Sequence, residues 1–333
     1  MGGIGRASGK LILFGEHAAV YGYPAVGVSL REKITVRLWE DETADWDLSG
    51  IAARDRATIR RILALLEGLL PELSSLSRCR VTVHSEVPRG VGFGSSAALC
   101  AALARAALAH AGGLAHAGGL SAAEGPGNPL KEWELAHSAE KLFHGTPSGI
   151  DTGLSILDGL FALQPRPPAL PEYQPLHGAP QHLVVAAVPR AESCGALVAM
   201  LGERMRAGHP GTLDAIRELG EIAAAAQKAL AIPGADGAKD IAALADKAME
   251  RLRALGLGSP WQDLLLEAGK KAGALGGKLS GAGGGGAFFL VARDAAGAQR
   301  VASSLEQEAA LKGITLAAPV RLLKTGGMSG VPA

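Results

Sequence analysis

The stretch that most narrows the choice of fold runs from Val87 to Ala98 and reads Val-Pro-Arg-Gly-Val-Gly-Phe-Gly-Ser-Ser-Ala-Ala. Ahead of it, Arg80 to Val87 alternates apolar and polar side chains with the two-residue period of a half-buried strand, and Pro88, which lacks an amide hydrogen, ends the ladder. Behind it, Ala97 to His110 is rich in alanine and leucine with no interior glycine or proline, so a helix is predicted. Gly90, Gly92 and Gly94 fall at alternate positions between the two, where the backbone must turn sharply or come close to a ligand. Ser95 and Ser96 then open the helix, whose first amides are unpaired and whose dipole is positive toward the loop. That combination is an anion site, and a phosphate suits it. No Lys-Ser or Lys-Thr follows Gly94, so this is not a Walker loop; nor does it open a first βαβ unit, as a dinucleotide fingerprint would. A serine-capped connection with no ligand is the plain alternative. Three other stretches weigh between them.

A chain of 333 residues suggests about two domains, and at 48% hydrophobic it can bury sizeable cores. The 33 basic and 32 acidic residues nearly cancel, and the aromatics, 4% of the chain, are scattered. Neither a nucleic-acid surface nor a membrane surface is expected, and the partner should be a small molecule. Cys79, Cys100 and Cys194 are too few and too far apart for a disulfide framework. With no signal sequence and no long apolar span, a reducing cytoplasm is the expected location.

Lys10, Glu16 and His17 cluster where the apolar run Leu11 to Phe14 reaches a turn. Each has an ordinary reading as a solvated surface residue, but together they are the polar set an anionic, hydroxylated substrate requires. The runs Tyr21 to Val28 and Lys33 to Leu38 read as a strand pair, and Arg54 to Leu70 as a covering helix. Gly112 to Asn128 reads as a long flexible loop. Pro129 to Phe143 is predicted helical and carries Glu140 near its end, and Asp151 enters the short helix that follows. The plain reading makes Asp151 a helix-start acid and Glu140 an exposed ion-pair partner. The proline-dense segment Gln164 to Pro171, with His177 to Pro180, reads as an interdomain connection. Two or three helices are predicted over Ala196 to Gly269. Next comes Lys278-Leu279-Ser280-Gly281-Ala282-Gly283-Gly284-Gly285-Gly286, in which the glycines allow the backbone to lie flat against a strand or against the same phosphates. The tail beyond Lys324 is expected to fray.

Lys10 to His17, Pro88 to Ala98, Glu140 to Asp151 and Lys278 to Gly286, in that order, resemble the four segments of the GHMP family of small-molecule kinases, which phosphorylate galactose, homoserine, mevalonate and phosphomevalonate. The resemblance implies an α+β fold in two domains. These are an N-terminal α/β domain over residues 1–180, with a left-handed β-α-β crossover that breaks the usual rule, and a C-terminal ferredoxin-like domain over 181–333. It also implies ATP and Mg2+ as cofactors and, at the level of the family, a homodimer. By resemblance, Pro88, Gly90, Val91, Gly92, Phe93, Gly94, Ser95, Ser96, Ala97, Gly283 and Gly284 hold ATP, and Ser96 and Glu140 hold the metal. Asp151 and Lys10 are the catalytic pair, Asp151 orienting the acceptor hydroxyl and taking its proton late, Lys10 offsetting charge on the transferring group.

Gly15-Glu16-His17-Ala18 and His144 to Asp151 look most like the family members that act on mevalonate. This implies ATP-dependent phosphorylation of its 5-hydroxyl in isoprenoid synthesis, with Lys10, Glu16, His17, Asp151 and Ser193 touching the substrate. Those members carry a threonine and then a basic residue where Cys194 and Gly195 stand here, with Ser193 and Arg190 as candidate replacements. Phosphomevalonate, homoserine or a sugar is the alternative acceptor. A catalytically dead nucleotide-binding regulator is the non-enzymatic one.

Overall fold

The computed structural model describes residues 2–40, 45–69, 79–115, 127–145, 147–178, 181–231 and 237–325. The chain forms two compact units, each drawn from three stretches: residues 1–10, 30–87 and 94–157 in one, and residues 11–29, 88–93 and 158–333 in the other.

The first unit holds parts of strands β1 (Gly2–Phe14) and β2 (Ala25–Glu40), then α1 (Ala53–Leu69), β3 (Cys79–Ser85), α2 (Ser95–Ala115), α3 (Pro129–His144) and α4 (Ile150–Leu157). The two runs expected as a strand pair are one strand, β2, with no Gly, Pro, Asn or Asp between Val28 and Lys33 to turn the chain. Its far half pairs antiparallel with β3, Ile34 opposite Ser85 and Glu40 opposite Cys79. Helix α2 is the centre of this unit. Ala97, Ala98, Ala101, Ala102, Ala104 and Ala106 have no exposed surface, and such small side chains let neighbouring backbone come very close. A Cβ on Gly5 of β1 would lie 2.0 Å from the Ala102 carbonyl oxygen. The one charge inside α2, Arg105, is half-buried and fully engaged. It pairs with Glu132 of α3 at 2.7 Å and donates to the carbonyls of Arg6 at 2.6 Å and Ile156 at 2.9 Å, tying β1, α3 and α4 together. Helix α2 also continues through Gly112 to Ala115; residues 116–126, the rest of the expected loop, lie outside the described residues.

The second unit contains β4 (Leu160–Arg166), β5 (Ala169–Pro175), β6 (His182–Val188), α5 (Cys194–Arg206), α6 (Pro210–Ala231), α7 (Gly237–Ala254), α8 (Pro260–Lys271), β7 (Gly276–Leu279), β8 (Gly286–Ala292), α9 (Ala295–Leu311) and β9 (Ala318–Lys324). The proline-dense segment is a hairpin and not a connection. Strands β4 and β5 pair antiparallel, and β5 tolerates Pro171 and Pro175 because it is the edge strand. Residues 179–180, the end of the expected connection, and the tail from 326 onward lie outside the described residues. Between β6 and β7 there are four helices, where the alanine-rich pattern suggests two or three. The four-stranded sheet has the order β7-β8-β6-β9, antiparallel throughout. With one strand ahead of the helices, a hairpin, a helix and a last strand, this is the ferredoxin-like arrangement. Val184 to Val188 and Ala287 to Ala292 are wholly buried at its centre.

Candidate functional site

In the first unit the predicted catalytic residues come together. Lys10 ends that unit's part of β1, and Asp151 sits in the first turn of α4; the ammonium is 2.9 Å from the Asp151 carboxylate. Lys10 is buried, whereas the Asp151 side chain keeps 39% of its surface exposed and remains open to a reactant. Gly94, just ahead of α2, has φ +72°, and a Cβ there would fall 2.6 Å from Cγ and 2.8 Å from Cε of Lys10. The bare backbone at Gly94 therefore makes room for the lysine stem, a packing reason for this glycine beyond turning the chain.

Asp151 is held from behind. The Trp133 indole donates to the carbonyl of Gly149 at 3.0 Å, Thr152 donates to the same oxygen at 3.1 Å, and the face of Gly153 lies flush against the Trp133 ring. Glu140, on α3, is buried, and neither carboxylate oxygen has a hydrogen-bond partner among the described residues. Burial, then the nearby Asp151 charge, pushes its carboxyl up to about 8, with Lys10 only partly opposing. Ser96 stands at the opening of α2, where first-turn amides have no intrahelical acceptor. The Glu140 carboxylate and the Ser96 hydroxyl are each a hard-oxygen donor of the kind Mg2+ takes. No group of three or more His, Cys, Asp or Glu side chains that could enclose a metal exists among the described residues.

The second unit carries the loop Pro88 to Phe93, Glu16, His17, Ser193, Gly283 and Gly284. Glu16 is buried and ion-paired with Lys278, whose ammonium also donates to the carbonyls of Leu13 at 3.1 Å and Leu279 at 2.6 Å. The same ammonium lies 5.8 Å and 5.5 Å from the Phe14 and Phe289 ring centroids. Burial pushes the Lys278 ammonium down and the Glu16 carboxylate pushes it back up. His17 donates from Nε2 to the carbonyl of Ala282 at 3.1 Å, and burial lowers its pKa to about 4, so the imidazole is neutral at pH 7. Lys278 is the functional neighbour the sequence does not flag; its signal is a lone lysine inside an apolar strand segment that must bury whatever it carries.

Ser193 caps α5, its hydroxyl oxygen accepting from the Ala196 amide at 3.2 Å, and Cys194 is the first residue of that helix. The Gly284 amide donates to the Leu257 carbonyl at 2.9 Å and is thereby committed to the fold. Cys79 and Cys100 are buried, and burial raises the Cys79 thiol to about 11, so both are inert.

Residues 58–159 match the N-terminal domain of the GHMP kinases and residues 196–311 match their C-terminal domain, so the two matches span most of the chain in the family's own order. The chain belongs to the GHMP kinases. As a GHMP kinase it is an ATP-dependent small-molecule kinase. Curated relatives include the mevalonate kinase of Methanothermobacter thermautotrophicus, 28% identical over 85% of this chain and 88% of the relative, and that of Bos taurus, 29% identical over 86% and 85%. Among solved structures, L. major mevalonate kinase in complex with R-mevalonate superposes with a TM-score of 0.77, covering 99% of this chain and 97% of that one at 21% identity. At that identity the likeness establishes the two-domain fold. No helix among the described residues of this GHMP kinase is long and apolar enough to cross a membrane.

Proposed function

We propose that this GHMP kinase transfers the γ-phosphoryl group of ATP to the 5-hydroxyl of mevalonate, giving 5-phosphomevalonate and ADP. The observation that carries the proposal is the Lys10–Asp151 ion pair at 2.9 Å, with Asp151 left open and the buried Glu140 carboxyl near enough to feel its charge. The names of the relatives, from archaea to a mammal, support mevalonate as the acceptor.

In this reading Asp151 orients the acceptor hydroxyl and receives its proton as the O–P bond forms, and Lys10 offsets charge on the equatorial phosphoryl oxygens. Pro88, Gly90, Val91, Gly92, Phe93, Gly94, Ser95, Ser96 and Ala97 hold the triphosphate, with Gly283 and Gly284 shaping the second glycine loop. Ser96 and Glu140 hold Mg2+, which when bound neutralises phosphate charge. A cation held there would need the Glu140 carboxylate ionised, and so would displace the proton that Glu140 holds below about pH 8. Glu16, His17 and Ser193 face the acceptor, His17 as a neutral hydrogen-bonding group. We place the domain boundary at residue 180, the enzyme in the cytoplasm and its assembly as a homodimer.

Coupled ADP release over mevalonate, phosphomevalonate, homoserine, galactose and inositol tests the acceptor. Mevalonate should exceed every other compound by about 100-fold or more in kcat/KM, the range set by a site that pairs its polar groups with one substrate. A preference for another of the five reassigns the acceptor, and silence on all five with ATP still bound favours a regulator.

A further inference from the structure

Arg190 follows β6 directly and precedes the cap of α5. Its guanidinium lies between the two glycine-rich loops of the second unit. A Cβ on Gly92 would be 3.0 Å from Nη2, one on Gly286 only 2.4 Å from Nε, and one on Gly281 3.7 Å from Nη2. Both loops are built from left-handed backbone, with φ of +74° and +99° at Gly90 and Gly92 and between +64° and +102° at Gly281 and Gly283 to Gly286. The alternation at Gly90 and Gly92 suits the concave amide pattern that takes anions, whereas in the second loop the Gly284 amide is spent on the Leu257 carbonyl.

Five donors project from this guanidinium, and its one hydrogen bond among the described residues runs from Nη1 to the Cys194 sulfur, a weak acceptor. The Nε atom is buried with no partner, and no carboxylate among the described residues pairs with Arg190. Lys10, Arg105 and Lys278, by contrast, each have a carboxylate: Asp151, Glu132 and Glu16. A cation partly stripped of water and left without an acid is stabilised only when an anion arrives.

Building on the kinase assignment, we infer that Arg190 is a ligand of the nucleotide's β- and γ-phosphates, supplying from the start of α5 the positive charge that the loop at Gly90 to Gly94 lacks for want of a lysine after its last glycine. The planar fork suits two phosphate oxygens at once, and the absent side chains of Gly92 and Gly286 let it lie flat between the loops. Cys194 holds Nη1 without competing for it as a carboxylate would.

The test is calorimetric titration of the full chain with the nonhydrolysable analogue AMPPNP, with adenosine and with mevalonate, for wild type, Arg190→Gln and Arg190→Lys, folding being checked by thermal melts. Arg190→Gln should weaken AMPPNP binding tenfold or more and Arg190→Lys threefold or more, with adenosine and mevalonate affinities unchanged within twofold. Wild type supplies a second measurement that needs no variant: AMPPNP, and not mevalonate, should slow modification of Arg190 by phenylglyoxal as read by mass spectrometry. Unchanged AMPPNP affinity in folded variants, a loss confined to mevalonate, or no protection by AMPPNP would each overturn the assignment while leaving the kinase reading intact. Failure of wild type to bind AMPPNP at all would remove both.

Discussion

Lys10 and Asp151 show how much of a reaction can rest on one ion pair. The lysine is buried and cannot swing away, because its stem lies across Gly94 and its ammonium has Asp151 at 2.9 Å. The aspartate is fixed from behind through the Trp133 bond to Gly149, so its exposed face is aimed by packing and not by solvent. Replacing Asp151 with Asn keeps shape and hydrogen bonding but removes the proton acceptor and half of the pair. We expect kcat to fall by about 100-fold or more, the usual worth of a positioned acid or base, with KM for the acceptor changed by less than about threefold. Steady-state kinetics beside a thermal melt of the variant measures this, and near-normal turnover in a folded variant would take Asp151 out of the chemistry.

At the scale of elements, the turn after β1 and the strand β7 are joined by a buried charge. Glu16 and Lys278 pair in surroundings where the lysine has no exposed surface, and His17 and Ser280 add bonds to Ala282 and Ile12. Lys278→Met would preserve volume and leave a buried carboxylate without this cation, and the expected cost is about 3–5 kcal/mol in urea unfolding. Adding Glu16→Gln to that variant should restore part of the loss; a single-variant cost under about 1 kcal/mol would mean the pair is not a buried one. The same elements mark the limit of what the sequence discloses. The loop ahead of α2 and the helices bearing Glu140 and Asp151 are legible because they depend on local signals, namely glycine spacing and periodicity, whereas the ferredoxin-like order is legible only through the family resemblance. The continuity of β2 through Arg31 and Glu32, and the β4–β5 hairpin inside a proline-dense segment, are not, since edge position and strand partners are set by distant residues. Nor could local signals show that Lys278 neutralises Glu16, a pairing across 262 positions, or that Ser193 spends its hydroxyl oxygen on capping α5.

For the molecule as a whole, two buried groups set opposite slopes of stability with pH. The Glu140 carboxyl, raised from 4.5 to about 8, keeps its proton in the folded chain after the unfolded chain has lost it. Its contribution is complete below pH 4.5 and drains away as pH climbs toward 8. His17, lowered from 6.5 to about 4, does the reverse: its contribution is complete above pH 6.5 and is lost as pH falls toward 4. Between pH 4.5 and 6.5 the two slopes cancel, and above 6.5 the Glu140 slope acts unopposed by His17. At about 1.4 kcal/mol per unit of pH, the nucleotide-free chain should lose roughly 2 kcal/mol between pH 6.5 and 8 on account of Glu140. Urea unfolding of wild type and Glu140→Gln across this range isolates that share, because the amide does not titrate and both proteins carry every other ionisable group. The gap between the two should shift by about 2 kcal/mol in favour of the variant as pH rises. A gap that stays constant would mean that Glu140 ionises freely in the folded chain, and a cation would then displace no proton there.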